Sequence, residues 1–330
     1  MAEHLSKVSI IGSGSYVPDK ILSNADLEKM VDTSDEWITT RTGIKERRVV
    51  ENGVCTSDLA TKAALKALAS AKITPEQLDL IIVGTATPDN IFPSTACQVH
   101  QKISASNAAA FDISAACSSF IYSLTVGYKM VSSGAYKNVM VISADALTKL
   151  TDYTDRGTCV LFGDGAGAVI LQPHDQGHEL LYSYLGADGS GYEFMILPAG
   201  GSRMPASHKT VDERLHYIKL RGREVFKFAV LKMADLVKDA VKACNINVND
   251  IALIIPHQVN LRILEAAAER LNVPMDKIFV NIHKYGNTSS ASIAIAFDEA
   301  RQSGRLKKGD IVVLVVFGGG LTWGVTVIRW

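Results

Sequence analysis

Cys117 lies in FDISAACSSF, where a strand-like FDIS passes through small residues into an apolar helix. A sulfur at such a helix N-terminus meets free N–H groups and the positive end of the helix dipole, which favour the nucleophilic thiolate. A packed core cysteine is the alternative. His257 follows LIIP, at the end of a buried strand where α/β folds place site residues. Pro256 before it restricts the backbone, and a hydrogen-bonded structural histidine is the competing role. Asn287 lies in HKYGNTSSAS, after Gly286 and before a run of small residues; it is equally suited to cap a helix. FGGGLTWG, from Phe317 to Gly324, offers successive backbone N–H groups that can hold an oxyanion, or a tight turn between two strands.

A second group of residues has the chemistry to bind an anion. TSDEWITTRTG is expected to form a short helix with Thr33 as N-cap, Glu36 as its capping-box partner and Gly43 as its stop. Trp37 and Arg41 are then four apart on one face, either a solvated pair or a slot for a flat ring bearing phosphates. Arg156 and Arg262 are further cations for such a ligand. GSGSYV near Gly12 and GDGAG near Gly163 lack the third glycine or the Lys-Ser/Thr pair of nucleotide loops, so no organic cofactor is expected.

The elements that must position these residues belong to an α/β protein. The chain has 330 residues, 47% hydrophobic and 21% charged, enough for two core-sized units. Its 34 Lys and Arg balance 34 Asp and Glu, so an anionic partner must be met by a local patch. Nucleic acid and membrane surfaces are not expected partners. Cysteines 55, 97, 117, 159 and 244 form no CxxC pair or His-spaced cluster, so neither a metal site nor a disulfide framework is expected. The longest apolar runs fall well short of the roughly 20 residues of a spanning helix, and the N-terminus has no signal-peptide pattern, so the expected compartment is the cytoplasm.

Strand-length apolar runs at 8–12, 78–85, 138–143, 167–171, 251–256, 311–316 and 324–328 alternate with helical segments at 57–70, 117–132, 222–244, 259–271 and 289–302. Val225, Ala229, Met233, Leu236, Val237, Ala240 and Cys244 form one stripe on the longest helix. The segment ITPEQLDLIIV from Ile73 resembles INVNDIALII, which starts 173 residues later at Ile246. Asn287 follows Cys117 by 170 residues, and the strand at Asp310 follows that at Asn138 by 172. Three similar offsets indicate a duplicated half. The seam is expected in the Gly, Ser and Pro-rich stretch 186–207 or just before it; we divide the chain into 1–175, carrying the cysteine, and 176–330, carrying the histidine and asparagine.

Together these residues resemble the β-ketoacyl-[acyl-carrier-protein] synthase III family of thiolase-fold condensing enzymes. The resemblance rests on SDEWITTRTGIKERR, ATPDNIFPSTACQV, FDISAACSSFIYSL, DRGTCVLFGDGAGAVIL, GREVFKFAV, PHQVNLRI, YGNTSSAS and FGGGLTWG, in family order along essentially the whole chain. It implies a five-layered αβαβα fold of two pseudo-symmetric halves, usually dimeric. It also implies that Cys117 takes a short acyl group from acyl-CoA, with the N–H groups of Cys117 and Gly319 as oxyanion hole. Malonyl-carrier protein is then decarboxylated, and His257 and Asn287 stabilise the enolate that attacks the acyl-enzyme. CoA would be held by Trp37, Arg41, Arg156, Gly157, Gly222, Phe226 and Asn260. Phe92 would line the partner subunit's acyl pocket, and Gln258, Val259, Asn260, Leu261 and Arg262, with Lys227, would meet the acyl carrier protein.

Departures from the family pattern are Ser119, often Gly, and Val259, commonly Ala. His283 invites comparison with elongating synthases that use two histidines, but the YGNTSS context gives the third role to Asn287. A thiolase would need a second cysteine near the C-terminal glycines, where none stands. A specialised homologue with another acyl acceptor shares the triad, and a non-catalytic acyl or carrier-protein binding module would have lost the activation of Cys117.

Overall fold

The computed structural model describes residues 6–174 and 178–330. Two sheets form the framework. The first has the order Val8–Tyr16, Asp164–Pro173, Val139–Ala146, Leu80–Gly84, Ala109–Ile113, and the second the order Glu179–Ala187, Thr322–Arg329, Ile311–Gly318, Ile251–Pro256. In both, the first three strands pair antiparallel and the next pairing is parallel. The first sheet's fifth strand is matched in the second by a single parallel bridge from Ile254 to Ile278. The repeat read from the offsets is thus a repeat of topology. The division at 175/176 falls within 175–177 and lies outside the described residues.

The strands are apolar on both faces because both faces are covered. Leu80, Ile82, Val139 and Val141 of the first sheet, with Leu253, Ile255, Val312, Leu314 and Val316 of the second, face a central cluster. That cluster is filled by Phe120, Ile121 and Leu124 of the helix Ser119–Ser132 and by Ile293, Ala296 and Phe297 of the helix Ala291–Gln302. The alternate residues Ile81, Val83, Met140 and Ile142 face the helices Thr56–Ala71 and Thr95–Ile103. Ile254, Val313 and Val315 face Gly222–Ala243 and Leu261–Leu271. Period two in each strand therefore sorts its side chains between a central and an outer helical layer, giving five layers, αβαβα.

GDGAG serves packing, not phosphate: its glycines open the strand Asp164–Pro173, where a Cβ on Gly167 would stand 2.4 Å from the Ala294 Cβ. The central helix can lie against the strand only because that methyl is missing. The helix after Thr33 starts one residue later than expected. Ser34 is its N-cap, accepting from the Trp37 N–H at 3.1 Å, and Gly43 closes it with φ +78°. The longest elements with no counterpart among the expected ones are the strand Glu179–Ala187 and the helix Thr95–Ile103. No described helix is long and apolar enough to cross a membrane.

Candidate active site

The two central helices begin next to each other, and the turns before them carry the reactive groups. On the first, Ala116–Ser118 is a single 3₁₀ turn ahead of the helix Ser119–Ser132. Ala116 is held at φ +48°, the left-handed region that a residue with a Cβ avoids. This strained corner presents Cys117 at the head of the helix, 6% exposed. Ser119 Oγ accepts the Ala115 N–H and donates to the Ala116 carbonyl, bracing the corner. The hairpin from Gly318 to Thr322 packs directly on it. A Cβ on Gly318 would lie 3.0 Å from both the Cys117 and Ser118 nitrogens, and Thr322 Oγ1 reaches the Ala115 carbonyl and Ser118 Oγ, each at 3.0 Å. FGGGLTWG thus takes the turn between two strands, with its glycines against the cysteine corner. Its Gly319 N–H and the N–H of Cys117 both face the sulfur.

Burial decides the state of the thiol. It pushes Cys117 up to about 11, against the opposing pull of Ser289 and the two N–H groups. The thiolate expected from the helix terminus is therefore not the resting form. A negative charge at the buried Asp145 acts in the same upward direction.

On the second turn, Asn287 to Ser292 connects to nearly everything in the site. The Ser289 N–H donates to Asn287 Oδ1 at 2.8 Å, which identifies the oxygen and leaves Nδ2 as the free donor. Ser289 itself has φ +49° and donates from Oγ to Cys117 Sγ at 3.5 Å. The Ser290 N–H and hydroxyl both donate to Asp145, at 3.0 and 2.6 Å. Ser292 Oγ lies 2.7 Å from His257 Nδ1 and accepts the Gln258 N–H at 3.4 Å. Ser292 can accept the Gln258 N–H on one lone pair and still donate its hydroxyl proton to Nδ1, and in that arrangement the imidazole hydrogen stands on Nε2. Burial holds His257 far below its ordinary value, at about 3, so the ring is neutral. Its face is set by an edge contact with Phe317, 5.8 Å between centroids.

A cavity of about 120 Å³ opens at the sulfur. Leu147, Leu150, Phe162, Met195, Leu197 and Ile218 give it apolar walls, and Cys117 and Ser289 stand in its lining. The residues expected to meet an anion lie at the surface. The guanidinium groups of Arg41 and Arg156 each sit 4.9 Å from the centre of the Trp37 ring. Asn260 Nδ2 donates to the Arg41 carbonyl at 3.0 Å, and its Oδ1 caps the helix Leu261–Leu271 through the Arg262 N–H. Gly157 stands one residue past Arg156, its N–H on Asp155. Gly222 and the exposed Phe226 open the helix Gly222–Ala243.

The surface set expected from Gln258 to Arg262 is corrected in part. Gln258 is 1% exposed, and its amide is consumed by the carbonyls of Pro256 and Phe279 and the N–H groups of Asn281 and Ile282. A residue bracketing two chain segments in this way has nothing left for a partner. Val259 and Leu261 are half-buried in apolar clusters, while Arg262 and Lys227 are exposed. Ser289, Ser292 and Asp145 were not singled out from the sequence. A signal existed for one of them: Asp145 is the only charge in the apolar strand VMVISADA.

A buried thiol on a strained corner, a neutral histidine and an amide, brought together by matching turns of a duplicated αβαβα fold, define the class of thiolase-fold condensing enzymes. Residues 111–189 match the profile described as 3-oxoacyl-[acyl-carrier-protein] synthase III, and 241–330 that of its C-terminal part. The chain is 57% identical to the β-ketoacyl-[acyl-carrier-protein] synthase III of Caldanaerobacter subterraneus subsp. tengcongensis, over 97% of each chain. It is 53% identical to that of Clostridioides difficile, over 98% of this chain and 99% of the relative. The crystal structure of the 3-oxoacyl-[acyl-carrier-protein] synthase III from Aquifex aeolicus VF5 superposes with a TM-score of 0.90 at 47% identity, covering 98% of this chain and all of that one. The chain belongs to the β-ketoacyl-[acyl-carrier-protein] synthase III family.

Proposed function

We propose that this protein starts type II fatty acid synthesis, condensing a short acyl-CoA with malonyl-[acyl-carrier protein] to give 3-oxoacyl-[acyl-carrier protein], CoA and carbon dioxide. The observation that carries this reading is the turn 287–292, which touches the Cys117 sulfur through Ser289 and the His257 ring through Ser292, and carries Asn287. Cys117 attacks the thioester carbonyl and keeps the acyl group, which lies in the apolar cavity. The Cys117 and Gly319 N–H groups stabilise the tetrahedral oxyanion. When the malonyl group enters, loss of carbon dioxide leaves an enolate whose charge is met by two neutral donors, His257 Nε2–H and Asn287 Nδ2–H. The enolate carbon attacks the acyl-enzyme, and Cys117 is released. Every step uses the thiol, fixed donors and the substrates, so no cofactor is assigned.

CoA is placed over Trp37, Arg41 and Arg156. A purine there would replace one of the two guanidinium groups against the indole and leave the cations for its phosphates. Gly157, Gly222, Phe226 and Asn260 line the approach. Ile91 and Phe92, 82% and 84% exposed, form an apolar projection that a second copy would cover, which fits a homodimer with Phe92 at the partner's acyl pocket. Arg262, with Lys227, is assigned to the acidic carrier protein, and the compartment to the cytoplasm.

The test is mass spectrometry of the protein with a panel of acyl-CoAs, followed by malonyl-carrier protein. Acylation of Cys117 that turns into a 3-oxoacyl carrier product is the expected result and names the primer. Acylation without turnover would move the acceptor to another molecule, and no acylation would remove the enzymatic reading. Arg262→Glu should raise KM for malonyl-carrier protein about tenfold or more and leave that for acyl-CoA near the parent value, because a surface charge facing an acidic partner acts on encounter. An unchanged KM for the carrier substrate would take Arg262 out of the interface.

A further inference from the structure

The cavity at the Cys117 sulfur is walled by two separate stretches of chain. Leu147 and Leu150 belong to the segment that leaves the strand Val139–Ala146, while Met195, Leu197 and Ile218 come from a lobe made of residues 195–220. The lobe is closed at its base by the antiparallel pairs Met195 with Leu220 and Ile196 with Lys219. Its own packing is slight: between 200 and 217 only Thr210 is buried. A segment with so little apolar burial depends on specific bonds to keep its place. The Ile218 N–H donates to the Leu150 carbonyl at 2.9 Å, which sets one wall against the other. Among the described residues, side chains of 198–217 leave the lobe by hydrogen bonds at two points. Arg203 donates to the Tyr192 hydroxyl at 3.0 Å in an exposed contact. Arg214 grips Asp152 with two prongs, Nε to Oδ2 at 3.0 Å and Nη2 to Oδ1.

Asp152 is not an ordinary surface carboxylate. It is 3% exposed, stands two residues beyond Leu150, and also accepts the Thr154 N–H at 3.0 Å and the Thr154 hydroxyl at 2.6 Å. Arg214 holds its carboxyl well below the usual range, so the charge is kept. Lys219 adds a second cation at 3.9 Å. Arg214, four residues before Ile218, has a left-handed backbone at φ +53°, a conformation that a residue with a Cβ keeps only where its surroundings hold it. A planar fork on a carboxylate fixes direction as well as distance. We propose that Arg214, gripping Asp152, is a positioning residue that holds the lobe wall of the cavity against Leu150 and thereby limits the length of the acyl primer. The inference rests on the proposed function, with Cys117 as the acylated residue and this cavity as the place of the acyl group. With the grip closed, Ile218 and Leu150 stand together and the cavity of about 120 Å³ suits a short chain. With the grip released, the lobe keeps its base and the Ile218 bond, and a longer chain displaces the wall outward.

The experiment measures kcat/KM for acylation of Cys117 by acetyl-, butyryl- and hexanoyl-CoA in the parent, Arg214→Met, Arg214→Lys, Ile218→Ala and the double variant Arg214→Met/Ile218→Ala. The Arg214 side chain is 44% exposed, so its variants should fold. The hexanoyl-to-acetyl ratio should rise about tenfold in Arg214→Met, the low end of what an apolar pocket achieves per methylene. It should rise less in Arg214→Lys, which keeps a charge for Asp152 but not the fork. Ile218→Ala opens the same wall directly, so the double variant should exceed the larger single effect by less than about twofold. A ratio in Arg214→Met within about twofold of the parent, or effects that multiply fully in the double variant, would overturn the positioning role. Site-resolved labelling of Cys117 with N-methyl- to N-hexylmaleimide reads the wall without acyl-CoA, and its long-to-short rate ratio should rise in the same variants. A parent that no acyl-CoA acylates would count against the proposed function, and the maleimide series would then decide the role of Arg214 by itself.

Discussion

Cys117→Ala is expected to abolish condensation, with no acyl group on the protein after incubation with acyl-CoA and a turnover rate at least about 10⁴-fold below the parent. The size follows from the site: no other described thiol can substitute. Cys159, the other buried cysteine, packs with Leu27, Ile38 and Ile282 away from the central cluster, and burial raises it to about 11 too, without the N–H pair that faces Cys117. Alanine already precedes this position at 115 and 116 and the change only removes one sulfur, so the variant should keep its fold, at a cost of about 1 kcal/mol, the centre of the usual range for single substitutions. Intact-mass spectrometry and a coupled assay check both parts. Condensation within tenfold of the parent would place the nucleophile elsewhere.

The second large effect separates the two half-reactions. His257→Ala and Asn287→Ala should each lower carbon dioxide release from malonyl-carrier protein by about 10²–10³-fold, the loss expected for one preorganised donor at a developing oxyanion. Self-acylation should fall far less, because both donors face the charge of the second step. Asn287→Ala also frees the Ser289 N–H, so its acylation should fall somewhat further than that of His257→Ala. Equal loss of both half-reactions in the Asn287 variant would contradict the division of roles. His257 carries a stability signature as well. Its folded value of about 3 lies below the ordinary 6.5, so between these pH values the unfolded chain binds the extra proton. Stability is therefore fully present above pH 6.5 and declines as pH falls toward 3, by up to about 1.4 kcal/mol per pH unit. Denaturant midpoints at pH 7 and 5 should differ less in His257→Ala than in the parent.

The fold was largely legible because its signals are local. Unbroken apolar runs such as IVVLVV mark strands covered on both faces, and the stripe on Gly222–Ala243 marks a helix covered on one. Glu179–Ala187 escaped because it is an edge strand: ELLYSYLGA is half-buried along most of its length and reads as neither pattern. The positions of Cys117, His257 and Asn287 were legible from the strand ends and small-residue turns around them. What they do to one another was not. Their protonation depends on burial contributed by both halves, and the pull of the helix terminus on Cys117 was visible in sequence while the opposing desolvation was not. Gln258 shows the same limit: next to a site residue it reads as surface, but the chain closes over it from 279–282.

The matched turns also bear on how such a site can arise. Cys117 and Asn287 stand at equivalent heads of the two central helices, 170 residues apart in one chain. A molecule with identical halves would offer two thiols and no amide donor, or two amides and no nucleophile, and neither can both hold an acyl group and stabilise an enolate. Symmetry in the scaffold brings the two turns face to face, and chemistry requires that symmetry to be broken where they meet. A single polypeptide can fix that difference at one position; an assembly of two identical chains cannot.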